Sequence, residues 1–150
     1  MTEHPAPAEP GAAMDVYVLR ALYGVKRVYE MEGRPWSEGA PYPYYIPSGK
    51  PWRTHRIDAQ PVPRFSTSIA AAWTIVERLG DLGACCVSVD REQIAGHVMV
   101  DVKVVWTGPN VGDHGNTFRA AAETAPLAIC VGALKAVSAR PPSATQEPGS

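Results

Sequence analysis

The chain has 150 residues, with 14 basic and 15 acidic side chains and a formal net charge of -1. That length suits one domain, and a hydrophobic content of 45% excludes a chain disordered throughout. Near-neutral charge argues against a general nucleic-acid binder, and 15 prolines with 13 glycines commit much of the chain to loop or tail.

No apolar run approaches the roughly 18 residues that span a bilayer, and MTEHPAPAEPG has no basic segment leading into an apolar one. Membrane spans and secretory signals are therefore not expected, and the cytoplasm is the expected location. Cys85, Cys86 and Cys130 cannot form a paired framework; reduced thiols are the expectation. Pro5, Pro7 and Pro10 mark residues 1–11 as a disordered tail, and RPPSATQEPGS gives 141–150 the same character. One domain is expected over 12–140.

Within it, Met14, Val18, Leu22 and Val25 recur at helical steps from Ala12, while Asp15, Arg20 and Lys26 fall off that stripe. Gly24 ends or frays the helix. VKRVYEM reads equally as a last turn or a short strand. Residues 32–64 then carry Pro35, Pro41, Pro43, Pro47, Pro51, Pro61 and Pro63 beside Trp36, Tyr42, Tyr44, Tyr45 and Trp52. Such proline density forbids helix and central strand alike, and the aromatics predict a loop lying partly on the domain.

Ser66, Thr67 and Ser68 offer an N-cap for a second helix whose stripe is Ile69, Ala72, Trp73, Val76 and Leu79, closed by Gly80 or Gly83. CCVSVD alternates, with Cys85, Val87 and Val89 on one face. Val98, Val100, Val102, Val104 and Trp106 then alternate with His97, Met99, Asp101, Lys103 and Val105, the clearest strand signal present. The mixed second face predicts a surface not fully covered by helices. GPNVGDHGN reads as a hairpin connection, and NTFRAAA returns as a third strand with Phe118 and Ala120 inward. Thr124 caps a last helix with Pro126 in its first turn and Leu127, Cys130, Leu134 and Val137 as its stripe, running to about Arg140.

The fold class expected is α+β: a layered α-β-α sandwich with a short antiparallel three-stranded sheet, in the order helix, long loop, helix, three strands, helix. His4, His55, His97 and His114 are scattered without metal-ligand spacing, and no nucleophile or phosphate-loop motif occurs, so no metal or cofactor is expected and no catalytic residue is nominated. The one concentration of interest is YPYYIPSGKPWRTHR, residues 42–56. There Tyr44, Tyr45 and Trp52 supply faces that stack on a base, and Lys50, Arg53, His55 and Arg56 supply partners for phosphate. The same residue types make a protein-binding loop, or simply pin the loop to the body.

PRFSTSIAAAWTIVERL (63–79) and AETAPLAICVGALKAV (122–137) resemble the two hallmark runs of the phage ABA sandwich domain family, and MDVYVLRALYGVKRV (14–28) resembles its leading helix. Phe65 stands where the family pattern has Tyr, and Ser68 where it has Asp. The resemblance implies a phage-encoded cytosolic accessory protein of α-β-α layered fold, with no assigned reaction and no catalytic residues to carry over. The expected function is binding rather than catalysis, to a host protein or assembly, by a homo-oligomer. Sequestration of a small host nucleotide signal and weak single-stranded nucleic-acid binding are the alternatives.

Overall fold

The computed structural model describes residues 9–106 and 117–138. Helix α1 (Ala12–Tyr23) leads into the proline-rich stretch, which holds β1 (Tyr44–Tyr45), the one-turn α2 (Trp52–His55), a 3-10 turn (Arg56–Asp58) and β2 (Gln60–Pro61). Helix α3 (Ile69–Leu82), strands β3 (Ala84–Ile94), β4 (His97–Trp106) and β5 (Thr117–Ala122), and helix α4 (Ala125–Ser138) follow. The order β3-β4-β5 makes an antiparallel sheet, and β1 and β2 pair in a small second one. The α+β class, the order of the main elements and the three-stranded sheet are as the sequence predicts. The expected hairpin connection and His114 lie outside the described residues, as do His4 and the last helix's expected extension to Arg140.

Val102 faces Val89 on one side and Ala120 on the other, so the apolar face of β4 continues across all three strands. Helix α4 lies along β4 and β5, α3 along β3, and α1 packs behind them, mostly on α4. Gly132 is what lets α4 approach so closely: a Cβ there would sit 3.0 Å from Val102 Cγ1. The opposite face, with Met99, Asp101, Lys103 and Val105 each partly exposed, is not fully covered among the described residues, as its mixed composition predicts.

Four details depart from the sequence reading. Asp15 is not on a solvent face but 1% exposed, because α1 buries Asp15, Val18, Leu19 and Leu22 together against the body. On α3 the buried stripe is Ala72, Ile75 and Leu79, while Ile69 and Trp73 are 51% and 50% exposed. Cys85 does not share a face with Val87 and Val89: the register shifts between Ala84 and Cys86, a bulge that breaks the alternation and leaves both cysteines exposed. Helix α4 buries Ala128, Ile129, Cys130, Gly132, Ala133, Leu134 and Ala136, far more than one stripe, because sheet and helices enclose it.

Cys130 is 0% exposed, and burial, then the charge of Asp15, pushes its thiol up to about 12. An unfolded thiol ionises near its ordinary value of 9.0, so the unfolded chain loses this proton first. Stability held below pH 9 is therefore expected to fall as pH rises from about 9 towards 12. At neutral pH a thiol reagent should label Cys85 and Cys86 and spare Cys130 until denaturant is added. Three thiols reacting together in the native protein would contradict this burial.

Candidate functional site

Gly24 takes φ 71°, a left-handed conformation that costs glycine little, and so ends α1 and turns the chain into the run 25–29. VKRVYEM forms neither a last helical turn nor a strand, only isolated bridges at Tyr29. Tyr29 exchanges two backbone hydrogen bonds of 2.8 Å with Tyr44, which fastens this run to β1. Buried Val28 and Ile46, each 3% exposed, fix it and the following turn to the body. That turn closes with the Gly49 amide donating to the Ile46 carbonyl at 2.9 Å.

Between the run and the turn opens a cleft of about 450 Å³, lined by Tyr23, Lys26, Arg27, Tyr29 and Lys50 among others. Lys26, Arg27 and Lys50 are all exposed, and among the described residues no acidic one lines the cleft. Two other clefts differ in character. One between α1 and α4 (about 380 Å³) is mainly apolar with Lys135 at its rim, and one at the start of α1 (about 510 Å³) includes Glu9 and Glu38. The basic character extends beyond the cleft: residues 20–56 hold seven Lys or Arg and three Asp or Glu. Arg34 pairs with two of those acids, Glu30 and Glu32, each at 3.2 Å.

The walls are preorganised. Tyr23 stacks on Phe65 with ring centroids 5.8 Å apart, has the Arg78 guanidinium 5.4 Å from its ring, and donates to the Thr74 carbonyl at 3.2 Å. Tyr29 rests against Trp52, centroids 5.1 Å apart. Trp52 in turn covers Gly33, which has φ 96° and where a Cβ would stand 2.5 Å from the Trp52 ring. No side chain fits that spot without moving the indole.

Of the residues singled out by sequence, only Lys50 lines the cleft. Tyr44 and Tyr45 are half-buried in β1, and burial, then Tyr23, raises the Tyr45 hydroxyl above its ordinary value. Trp52 serves the wall behind Tyr29. Arg53 and Arg56 are exposed on α2 and the turn after it, and do not line the cleft. His55 Nδ1 lies 2.8 Å from Thr54 Oγ1. Sequence reasoning missed Tyr23, Lys26, Arg27 and Tyr29. Their signal was the LYGVKRVY run itself, where a helix-ending glycine is followed by two adjacent cations between tyrosines.

At the start of α1 lies a buried polar knot. The Ser66 amide and hydroxyl both donate to Asp15 Oδ1, at 2.8 and 2.7 Å, and the Tyr42 hydroxyl donates to Oδ2 at 2.8 Å. The Gly11 amide donates to the Ser66 hydroxyl oxygen at 2.8 Å, so the start of α1 is tied to the segment before α3. Burial, then Asp15, holds the Tyr42 hydroxyl well above the ordinary tyrosine value, and the Arg64 guanidinium covers its ring at 4.0 Å. Among the described residues no group of three His, Cys, Asp or Glu could hold a metal ion, and no helix is long and apolar enough to cross a membrane.

The family model of the phage ABA sandwich domain matches residues 36–134, about two thirds of the chain. The chain belongs to the phage ABA sandwich domain family. No curated protein and no solved structure matches it. The matched span begins at Trp36 and so lies beyond α1 and the Lys26–Arg27 wall; Lys50 falls within it. Both departures from the family pattern have structural readings in this member. Ser68 is the N-cap of α3, its hydroxyl accepting from the Ala71 amide at 3.3 Å, a role Asp fills equally well. Phe65 is 1% exposed against Tyr23, so the missing hydroxyl concerns the core and not the surface.

Proposed function

We propose that this family member acts by binding rather than by catalysis, and that its ligand is a small anion carrying an aromatic ring, of the nucleotide class. The observation that supports this is the cleft in which Lys26, Arg27 and Lys50 meet, with no acid among the described residues that line it, beside the Tyr29 ring. Cations held on a rigid rim attract phosphate, and a tyrosine backed by Trp52 offers a fixed face for a base. Tyr23 serves less well for stacking, since Phe65 and Arg78 already flank its ring. A phage protein of this kind would act as a sponge, withdrawing a host nucleotide signal.

Native mass spectrometry of the protein from infected-host lysate, followed by titration with mononucleotides and cyclic dinucleotides, tests the proposal. Inorganic pyrophosphate is the control lacking a ring. A co-purifying nucleotide mass is expected. In titration, Lys26→Glu with Lys50→Glu should weaken nucleotide binding by roughly tenfold or more per charge reversed. An apo protein that binds none of the panel, or a double variant with unchanged affinity, would falsify this reading.

A host protein is the second reading, favoured by Ile57, which is 91% exposed and follows Arg56, with Arg53 also exposed on the preceding turn. An apolar side chain among arginines is a common interface anchor. Here a host target captured by the wild type should be lost on Ile57→Asp, while the nucleotide titration stays as it was.

A further inference from the structure

The three-stranded sheet has two edges of unequal character. At β5, α4 packs along the strand, and the Lys135 ammonium lies against its backbone, donating to the Arg119 carbonyl at 2.9 Å. A charge on strand backbone discourages pairing with another chain. At the other side β3 runs eleven residues, and among the described residues β4 is the only strand paired with it. A strand of that length with one free side is a template for a second strand.

We infer that β3 is the seam of a homodimer, paired antiparallel with β3 of a second copy about a two-fold axis near Val89. Strand length and charge together select that register: Val89 is the midpoint of Ala84–Ile94, so centring there pairs the whole strand, and charge disfavours the neighbouring centres towards the C-terminal end. Centring the pair on Asp90 would set it against its own copy, and centring on Arg91 would set Arg91 against Arg91 and Asp90 against Glu92. Centring on Val89 places Val89 opposite Val89, Ser88 opposite Asp90 and Val87 opposite Arg91, with no like charges facing. Val87 and Val89 are partly buried against the core, so their apolar face continues across the seam.

Helix α3 supplies the flank. Thr74 and Arg78 turn one side of it to α1, where the Tyr23 hydroxyl donates to the Thr74 carbonyl and Arg78 Nε donates to the Leu22 carbonyl. Ala72, Ile75 and Leu79 face inward. Ile69 and Trp73 lie on the far side from Thr74 and Arg78. Because α3 is the helix that packs on β3, that side borders the unpaired edge. Two half-exposed apolar side chains beside an open strand are surface that a second copy covers. This seam does not depend on the basic cleft.

Sedimentation of the full chain over a wide concentration range tests the inference, with 16.1 kDa as the monomer mass. A dimer is expected, and Trp73→Glu, a half-exposed position that leaves the fold intact, should weaken it by about thirtyfold or more. In a Cys85→Ser, Cys86→Ser background, Val89→Cys should form an inter-chain disulfide on mild oxidation, because cross-strand partners bring Cβ atoms within bonding reach. Glu92→Cys in the same background should not. A monomer at every concentration overturns the inference. So does a dimer that Val89→Cys fails to cross-link.

Discussion

Replacing Asp15 by alanine is expected to cost this fold about 3–5 kcal/mol, read as a lowered urea midpoint with an unchanged slope. The carboxylate is 1% exposed and is the acceptor for the Ser66 amide, the Ser66 hydroxyl and the Tyr42 hydroxyl. Alanine leaves the Ser66 amide buried and unpaired, and the two hydroxyls only poorer acceptors: the Gly11 carbonyl at 3.3 Å and the Pro63 carbonyl at 3.3 Å. It also unties α1 from the segment that precedes α3. Tyr42→Phe removes one of the three bonds and should cost about 1–2 kcal/mol. If Asp15→Ala were as mild as Tyr42→Phe, the knot would be ornamental and α1 would be held by its apolar face alone.

Phe65→Ala is expected to cost a similar ~3–5 kcal/mol, for a different reason. Phe65 is 1% exposed, and its ring stacks on Tyr23 with planes 10° apart. Truncation leaves a cavity where the chain enters α3, and loses the ring pair, worth about 0.5–1.5 kcal/mol. Tyr23 then loses its backing in the wall of the basic cleft, so nucleotide affinity should fall along with stability. Phe65→Leu separates the two effects: it refills most of the volume but cannot stack. A stability loss near 1 kcal/mol with weakened binding would assign Phe65 to both core and cleft wall. Unchanged binding in the leucine variant would confine it to the core.

Periodicity carried most of the fold. The alternation from His97 to Trp106 gave β4 and its buried face, and Ser68, Thr124 and Gly83 marked helix ends where the structure has them. Local patterning failed where a residue's surroundings come from elsewhere in the chain. Asp15 opens the stripe formed by Val18, Leu19 and Leu22, but a carboxylate at that position is tolerable only because Tyr42 and Ser66 arrive to satisfy it. Trp73 sits at a helical step from Ile69, and only the placement of α1, α4 and the sheet leaves that side of α3 uncovered. Cys85 follows strict alternation in sequence, and a one-residue bulge undoes it.

The candidate site was legible only in part. Lys50 was visible within its aromatic loop, whereas Lys26 and Arg27 belong to another stretch and reach the cleft because Tyr29 pairs with Tyr44. The loop's own aromatics turned out to be fastenings: Trp52 covers Gly33 and Tyr29, and Tyr42 holds Asp15.

By itself the sequence determined the class of the fold, the identity of the regular elements and the family, because these follow from side-chain period, capping chemistry and contiguous runs. Tertiary structure decided which polar groups are buried, which apolar ones are left outside and which cations share a cleft. Each of those depends on contacts between residues far apart in the chain, such as the 51 positions separating Asp15 from Ser66. No local window contains both partners of such a contact, and its energy exists only once the fold has brought them together.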